Sequence, residues 1–447
     1  MRRLRLINPA NPLNGLVNSA IARRVTFGRK AVFMPLGLMV AAGVVPRDEW
    51  AVEIVDECTG PVPIRNDADL VGITAMTCQA ARAYQIADGY RALGVPVILG
   101  GLHPSALPEE SLRHATAVSV GEAEGTLPAM LADLKAGRLG GIYRPADSVE
   151  IATPRRDLLN PRDYLVNNCV QISRGCPHRC RFCTTQAMYG GRYSVRPIEA
   201  ICQEISELKS RWVIFADDNI VGNLPWSKKL FVELGKLNVR WSGQASLNVA
   251  RDEEMLRLMK ANGCQGLILG LESPNAAALA EGNKTYIDPA EYLPLIERIQ
   301  RAGIGTWGSF LFGFDADTVQ SLRASVAFAR RARLDIACFP ILTPYPGTPL
   351  WDEYRAAGRI LTDDWARYNG ASVVFQPKQM SPTQLANCQV AAFGEFYSPA
   401  SMWNRLTIWP MQKIAWLINI AINQGFRYYF RRQRKRMPDF RESATWH

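Results

Sequence analysis

The chain runs twice through one pattern: short apolar runs alternate with longer stretches whose apolar residues recur at helical spacing. In the first third the runs are "LRLIN" (4–8), "VEIVD" (52–56), "LVGIT" (70–74), "PVILGG" (96–101) and "AVSVGE" (117–122). They are β-rich and nearly continuous in hydrophobicity, as strands buried on both faces of a parallel sheet are. "QAARAYQIADGYRALG" (79–94) lies between them and ends on Gly94, a residue suited to a helix C-terminus. Five strands with intervening helices predict a doubly wound, flavodoxin-like α/β domain. Ligands of such sheets sit beyond the carboxyl ends of the strands, here Asn8-Pro9, Thr74, Gly100-Gly101-Leu102-His103 and Gly121-Glu122.

From 142 to 166 the pattern loosens, and "YRPADSVEIATPRRDLLNPRDY" reads as a linker with at most a short strand. A second series then supplies "CVQIS" (169–173), "WVIFA" (212–216), "VRWSGQ" (239–244), "GLILGLE" (266–272), "GTWGSFLFGF" (305–314) and "IACFPIL" (336–342). Helical stretches separate them, among them 196–210, 252–263 and 289–303. Six repeats predict a partial (β/α)6 barrel, open on one side, with its functional face at the carboxyl ends of the strands. The expected division is 1–141, a linker over 142–166, the barrel over 167–355, and a mainly helical region over 356–447.

Composition narrows the class. Hydrophobic residues make up 48% and charged residues 21%, which excludes a disordered or fibrous chain. "MRRLRLINPA" has too short an apolar stretch for a signal peptide, and no uncharged run reaches the roughly 18–20 residues of a membrane span. With ten cysteines the expectation is a cytoplasmic protein with reduced thiols. The net charge of +11 is concentrated: residues 401–447 carry nine basic against two acidic residues, a net +7. Within them, 409–432 places Gln412, Asn419, Asn423 and Arg427 at helical intervals among Trp, Ile and Leu, ahead of "RRQRKR". That suits peripheral contact with an anionic inner-membrane face. The competing reading is a helix packed on the barrel with a solvated basic tail. No nucleic-acid module accompanies these arginines, so no nucleic acid is expected as a partner.

The candidate chemistry lies at the end of the first barrel strand. "SRGCPHRCRFCTT" (173–185) places Cys176, Cys180 and Cys183 within eight positions, and no fourth cysteine follows nearby. Thiolates suit zinc or iron–sulfur clusters. A zinc site would need His178 as its fourth ligand, and His178 is poorly placed between the first two cysteines. Metal-free buried thiols and a [4Fe–4S] cluster with one open iron are the other readings. The remaining seven cysteines lack partner spacing and read as inert thiols.

The spacing Cys176-x-x-x-Cys180-x-x-Cys183, with Phe182 before the third cysteine, resembles the radical S-adenosylmethionine superfamily. "FADDNIVGN", "SLNVARDEEMLRLMKANGCQGLILGLES", "FLFGFDADT" and "TPYPGTPL" resemble segments of the branch that couples this barrel to an N-terminal cobalamin-binding domain. "VGITAMT", "GVPVILGGLHPSALPEE" and "AVSVGEAEGT" resemble that domain. The resemblance implies that the three cysteines hold a [4Fe–4S] cluster whose open iron takes S-adenosylmethionine. Asp217, Asp218 and Glu272 would contact this cosubstrate, and Phe182 is the family's aromatic. Thr74, Gly100 and Gly101 would line the cobalamin pocket, with His103, Gly121 and Glu122 around it. Ala10 stands where some cobalamin proteins carry a cobalt-ligating histidine.

The activity implied is methylation of an unactivated carbon through a 5′-deoxyadenosyl radical and methylcobalamin. The expected substrate is hydrophobic, such as a lipid, an isoprenoid or a tetrapyrrole, and the reductant is a flavodoxin or ferredoxin. Oxidative cyclisation or carbon–carbon coupling with the same cofactors is the alternative reaction. A non-catalytic cobalamin-binding adaptor is the alternative of another class, against which the intact triad argues.

Overall fold

Each apolar run of the first third becomes a strand of one sheet. The structure, a computed structural model, describes residues 1–11, 28–145, 149–208, 210–406, 420 and 423–425. β1 (Arg2–Asn8), β3 (Trp50–Asp56), β4 (Leu70–Thr74), β5 (Val97–Gly100), β6 (Ala117–Ser119) and β7 (Gly141–Tyr143) form one parallel sheet, in the order β3-β1-β4-β5-β6-β7. β2 (Ala31–Phe33) lies outside it and pairs with β8 (Tyr164–Val166). Helices cover both faces. On one face Leu6 of the sheet packs with Leu38 and Met39 of helix Leu36–Gly43 and Met130 of helix Ala123–Lys135, and on the other Ile73 packs with Ile86 and Tyr90 of helix Ala80–Ala92. β7 and β8 fall in and beside the stretch read as a linker. Each has three residues set among Arg, Pro, Asp and Asn, so neither extends into a longer apolar run.

The second sheet is β9 (Cys169–Val170), β12 (Trp212–Phe215), β13 (Arg240–Ala245), β14 (Cys264–Glu272), β15 (Gly305–Phe310) and β16 (Ile336–Cys338), all parallel and paired in that sequence. β9 and β16 are its two free edges, so the barrel is partial, as the six repeats imply. Burial alternates along β15: Thr306, Gly308 and Phe310 are buried, and Trp307 and Ser309 are partly exposed. The run "CVQIS" does not continue as one strand. The chain leaves the sheet after Val170 and forms an antiparallel hairpin of β10 (Ser173–Gly175) and β11 (Tyr193–Val195), which carries the cysteines between its strands.

Helix Pro382–Phe396 packs against Val319–Arg331 on the barrel. Arg405, counted above with the basic tail, is buried instead. Its Nη1 donates to the Leu334 carbonyl at 2.6 Å, and its guanidinium lies 3.6 Å from the Phe396 ring centroid. Burial lowers it to about 10. Asn423, placed by its spacing on a polar face, is buried and donates to the Asp335 carbonyl at 3.2 Å. Apart from Ile420 and Asn423–Gly425, the proposed amphipathic segment 409–432 and the basic run after it lie outside the described residues. Among the described residues no helix is long and apolar enough to cross a membrane.

Gly263 opens β14 with φ +98°, and a Cβ there would lie 2.0 Å from the Val239 carbonyl oxygen. Gly263→Ala is therefore expected to destabilise the fold by about 1–3 kcal/mol in denaturant unfolding. Gly394→Ala, in a helix with open space around it, is expected to stay within about 1 kcal/mol of wild type and to favour the fold.

Candidate functional site

The cysteine segment is fixed at its base by Asp217, which follows β12. This buried carboxylate accepts the Ile172 N–H at 3.0 Å, the Ser173 N–H, and the Ser173 hydroxyl at 2.8 Å. Burial pushes its carboxyl up to about 7, against the pull of those donors. Gly175 then turns the chain with φ +89°. A Cβ there would lie 2.0 Å from the Arg192 carbonyl oxygen, so the hairpin closes only around glycine.

Further bonds hold the loop. The Arg181 N–H donates to the Gly282 carbonyl at 3.0 Å, Asn283 Nδ2 to the Arg179 carbonyl at 2.8 Å, and Gln186 Nε2 to the Cys176 carbonyl at 3.2 Å. His178 stacks on Tyr286 at 3.7 Å between ring centroids, and its Nε2 lies 3.0 Å from Ser246 Oγ. Those contacts hold the imidazole in the cavity wall as a packing surface. Phe182 rests edge-on against Phe314. It needs Gly282 beneath it, where a Cβ would come within 2.9 Å of its ring.

Cys176, Cys180 and Cys183 face one cavity of about 140 Å³, together with Phe182, Asp218, Glu272 and Lys284. Among the described residues no three His, Cys, Asp or Glu side chains converge on a single metal ion. Burial pushes the Cys176 thiol up and the Cys180 thiol to about 12, with the Lys284 charge drawing Cys180 the other way. Three soft donors lining one cavity, with no fourth thiol in its lining among the described residues, fit an iron–sulfur cluster with one iron left open.

The same cavity holds a buried ion pair whose carboxylate, Glu272, the sequence pointed to and whose cation, Lys284, it did not. β14 bulges between Gly270 and Glu272, and Glu272 takes φ +57°, a strained value for a side-chain-bearing residue. Its Oε1 lies 2.6 Å from Lys284 Nζ, and both side chains are buried. Burial alone would lower the Lys284 ammonium, but the Glu272 carboxylate holds it above its ordinary range. A Cβ on Gly270 would reach within 2.6 Å of that carboxylate. Lys284 follows an unremarkable "EGN", so composition and spacing gave no signal for it.

A second cavity, of about 320 Å³, opens at the carboxyl ends of the first sheet. Its lining is apolar at Leu6, Leu38, Ile98 and Met130 and carries the Thr74 and Ser119 hydroxyls beside Gly100, Gly101, Gly121 and Glu122. Gly101 has φ +93°, and a Cβ would fall 2.6 Å from Thr74 Oγ1, inside this cradle. A mainly apolar pocket with hydroxyls and glycines in its lining fits the nucleotide tail of cobalamin. Gln171, Arg174, Met188, Tyr189 and Ala216 of the barrel complete the wall.

Two expected contacts are redirected and a third is engaged elsewhere. Asp217 is turned to backbone and is absent from the cysteine cavity, whereas Asp218 lines it. His103 is neither in the second cavity nor solvated. It is fully buried, with Nε2 3.0 Å from the Tyr84 hydroxyl and its ring 5.0 Å from Trp365. Glu122 lines the second cavity, but its Oε1 accepts from Arg174 Nη1 at 2.7 Å. Ala10 donates its N–H to Glu57 at 2.9 Å and offers no side-chain ligand.

The family model of the radical SAM superfamily matches residues 170–329, and that of the B12 binding domain matches residues 25–131. Over 409 residues the chain is 31% identical to the bacteriochlorophyllide d C-8(2)-methyltransferase of Chlorobaculum tepidum, covering 86% of this chain and 89% of that one. It is 29% identical over 412 residues to the bacteriochlorophyllide d C-12(1)-methyltransferase of the same organism, covering 89% and 90%. The fold is similar to that of the radical S-adenosylmethionine methyltransferase TsrM from Kitasatospora setae, solved with cobalamin and a [4Fe–4S] cluster. The TM-score is 0.68 at 16% identity, covering 97% of this chain and 100% of that one.

Asp217→Ala leaves two backbone N–H groups without their acceptor, at about 1–3 kcal/mol each. It is expected to lower both unfolding stability and the iron retained after reconstitution. Asp217→Asn keeps an accepting oxygen and is expected to lose less of each.

Proposed function

The chain belongs to the B12-binding radical SAM family, and on that premise we propose that it methylates an unactivated carbon of a hydrophobic, tetrapyrrole-like molecule. It is an enzyme whose cofactors are a [4Fe–4S] cluster, S-adenosylmethionine and cobalamin, and it requires a reductant. When bound, these groups supply a 5′-deoxyadenosyl radical for hydrogen abstraction and a methyl group for transfer.

The observation that carries the chemistry is one cavity shared by three thiols and a buried ammonium–carboxylate pair. Cys176, Cys180 and Cys183 hold the cluster. Lys284 presents a cation, and Glu272 and Asp218 present anions, to the carboxylate and amino group of S-adenosylmethionine. Phe182 supplies an apolar wall beside them. Thr74, Gly100, Gly101 and Gly121 line the pocket for the cobalamin tail, and its apolar side chains Leu6, Leu38, Ile98 and Met130 disfavour water there. His103 and Asp217 support the two sites from behind.

The substrate class is supported by the two bacteriochlorophyllide methyltransferases, whose similarity spans most of both chains. On the barrel strands Gln244 is exposed and Ile268, Trp307 and Ser309 are partly exposed, so apolar, aromatic and polar side chains are all available to such a molecule. The basic segment after residue 425 would bring the enzyme to an anionic membrane where such substrates reside.

With iron, sulfide, hydroxocobalamin, S-adenosylmethionine, a reductant and a bacteriochlorophyllide, the expected products are 5′-deoxyadenosine, S-adenosylhomocysteine and a substrate heavier by one methylene. Deoxyadenosine without S-adenosylhomocysteine would point instead to cyclisation or coupling. Cys180→Ala is expected to abolish cluster absorbance and deoxyadenosine formation while hydroxocobalamin still binds. In liposome flotation, removal of residues 426–447 is expected to release the protein from anionic vesicles, and unchanged flotation would remove the membrane role.

A further inference from the structure

One side chain ties the two cavities together. Arg174 lies two residues before Cys176, and its side chain is 8% exposed. Its Nη1 donates to Glu122 Oε1 at 2.7 Å, while Nη2 donates to Glu124 Oε1 and Gln171 Oε1, each at 3.0 Å. Arg192 of the facing strand segment approaches Glu122 Oε2 at 3.7 Å. The two glutamates belong to the first sheet's side of the molecule: Glu122 follows the Gly121 turn after β6, and Glu124 begins the next helix. The two arginines belong to the cysteine hairpin.

A guanidinium with three fixed acceptors sets both distance and orientation, because its donors form a rigid planar fork. The hairpin leaves little slack on the other side. Arg174 pairs with Ser194, and Gly175 is packed too closely against the Arg192 carbonyl to accept a Cβ. Gly121, Glu122 and Arg174 all line the cavity of the first sheet. A ligand that moves or fixes the Gly121–Glu122 turn therefore acts on Arg174, and through it on the start of the cysteine loop.

We propose that Arg174 is a positioning residue that couples occupancy of the first-sheet cavity to the setting of the cysteine loop. The inference rests on assigning cobalamin to that cavity and the cluster to the three cysteines. It goes further in making the two cofactor sites energetically dependent on each other. Bound cobalamin, by fixing the turn that holds Glu122, steadies the loop that holds the cluster.

The test uses the full-length, cluster-reconstituted protein and hydroxocobalamin as the probe. Two rates are measured with and without it: iron loss to a chelator, and substrate-free formation of 5′-deoxyadenosine under reductant. In wild type, cobalamin is expected to slow iron loss and to change deoxyadenosine formation. In Arg174→Gln both differences should vanish, and Arg174→Lys should restore only part of them. A merely structural role would alter both rates by the same factor and keep the difference. If Arg174→Gln fails to take up the cluster, Glu122→Ala decides by the same outcomes, since it removes the acceptor on the turn and leaves Arg174 paired to Glu124 and Gln171. A variant that keeps the full cobalamin dependence, or a wild type that binds cobalamin and shows none, overturns the proposal. A wild type that takes up the cluster and binds no cobalamin overturns the assignment beneath it as well.

Discussion

Asp217 gathers two backbone N–H groups and a hydroxyl at the base of the cysteine loop, and the chain's exit toward the three thiols depends on that buried carboxylate. Without it the chain leaving β9 would have unsatisfied donors inside the protein, which is costly. With it, the chain abandons the sheet after two residues and spends the next stretch as a hairpin. The loop between the hairpin strands is then free to present three thiols to one cavity. The same carboxylate sits at the end of the adjacent strand, so barrel and loop are held in register.

Residues 216–218 divide the barrel mouth. Ala216 lines the cavity of the first sheet, Asp217 holds the loop, and Asp218 lines the cysteine cavity. The short helix Thr184–Tyr189 does the same from the other side, with Thr185 on one cavity and Met188 and Tyr189 on the other. The two sites are thus separated by a single layer of chain, and the Arg174 cluster crosses it. This arrangement suits a reaction in which a hydrogen is removed beside one cofactor and a methyl group arrives from another, since both must reach one carbon.

The parts of this design legible in the sequence are those encoded by local pattern. Continuous apolar runs marked the long strands, Gly94 ended its helix with φ +76°, and the cysteine spacing marked the cluster loop. Residues whose meaning depends on distant partners were not legible. Lys284 became significant only because Glu272 faces it across a bulge. Arg174 and Arg405 carry charge that reads as surface until burial and their acceptors are seen. His103 follows a glycine pair at a strand end, yet the helix it begins turns its ring inward to Tyr84 and Trp365. Strands β7 and β8 escaped because their three residues are flanked by Arg, Pro, Asp and Asn, which interrupt any longer apolar run.

The central claim is that three thiolates hold an iron–sulfur cluster with one iron open to S-adenosylmethionine. Its most direct test is the EPR spectrum of the reduced, anaerobically reconstituted protein before and after addition of S-adenosylmethionine. The account predicts a signal from a reduced [4Fe–4S] cluster whose g values change when S-adenosylmethionine is added. A cluster spectrum that S-adenosylmethionine leaves untouched, or a protein that retains zinc in place of iron, would contradict it.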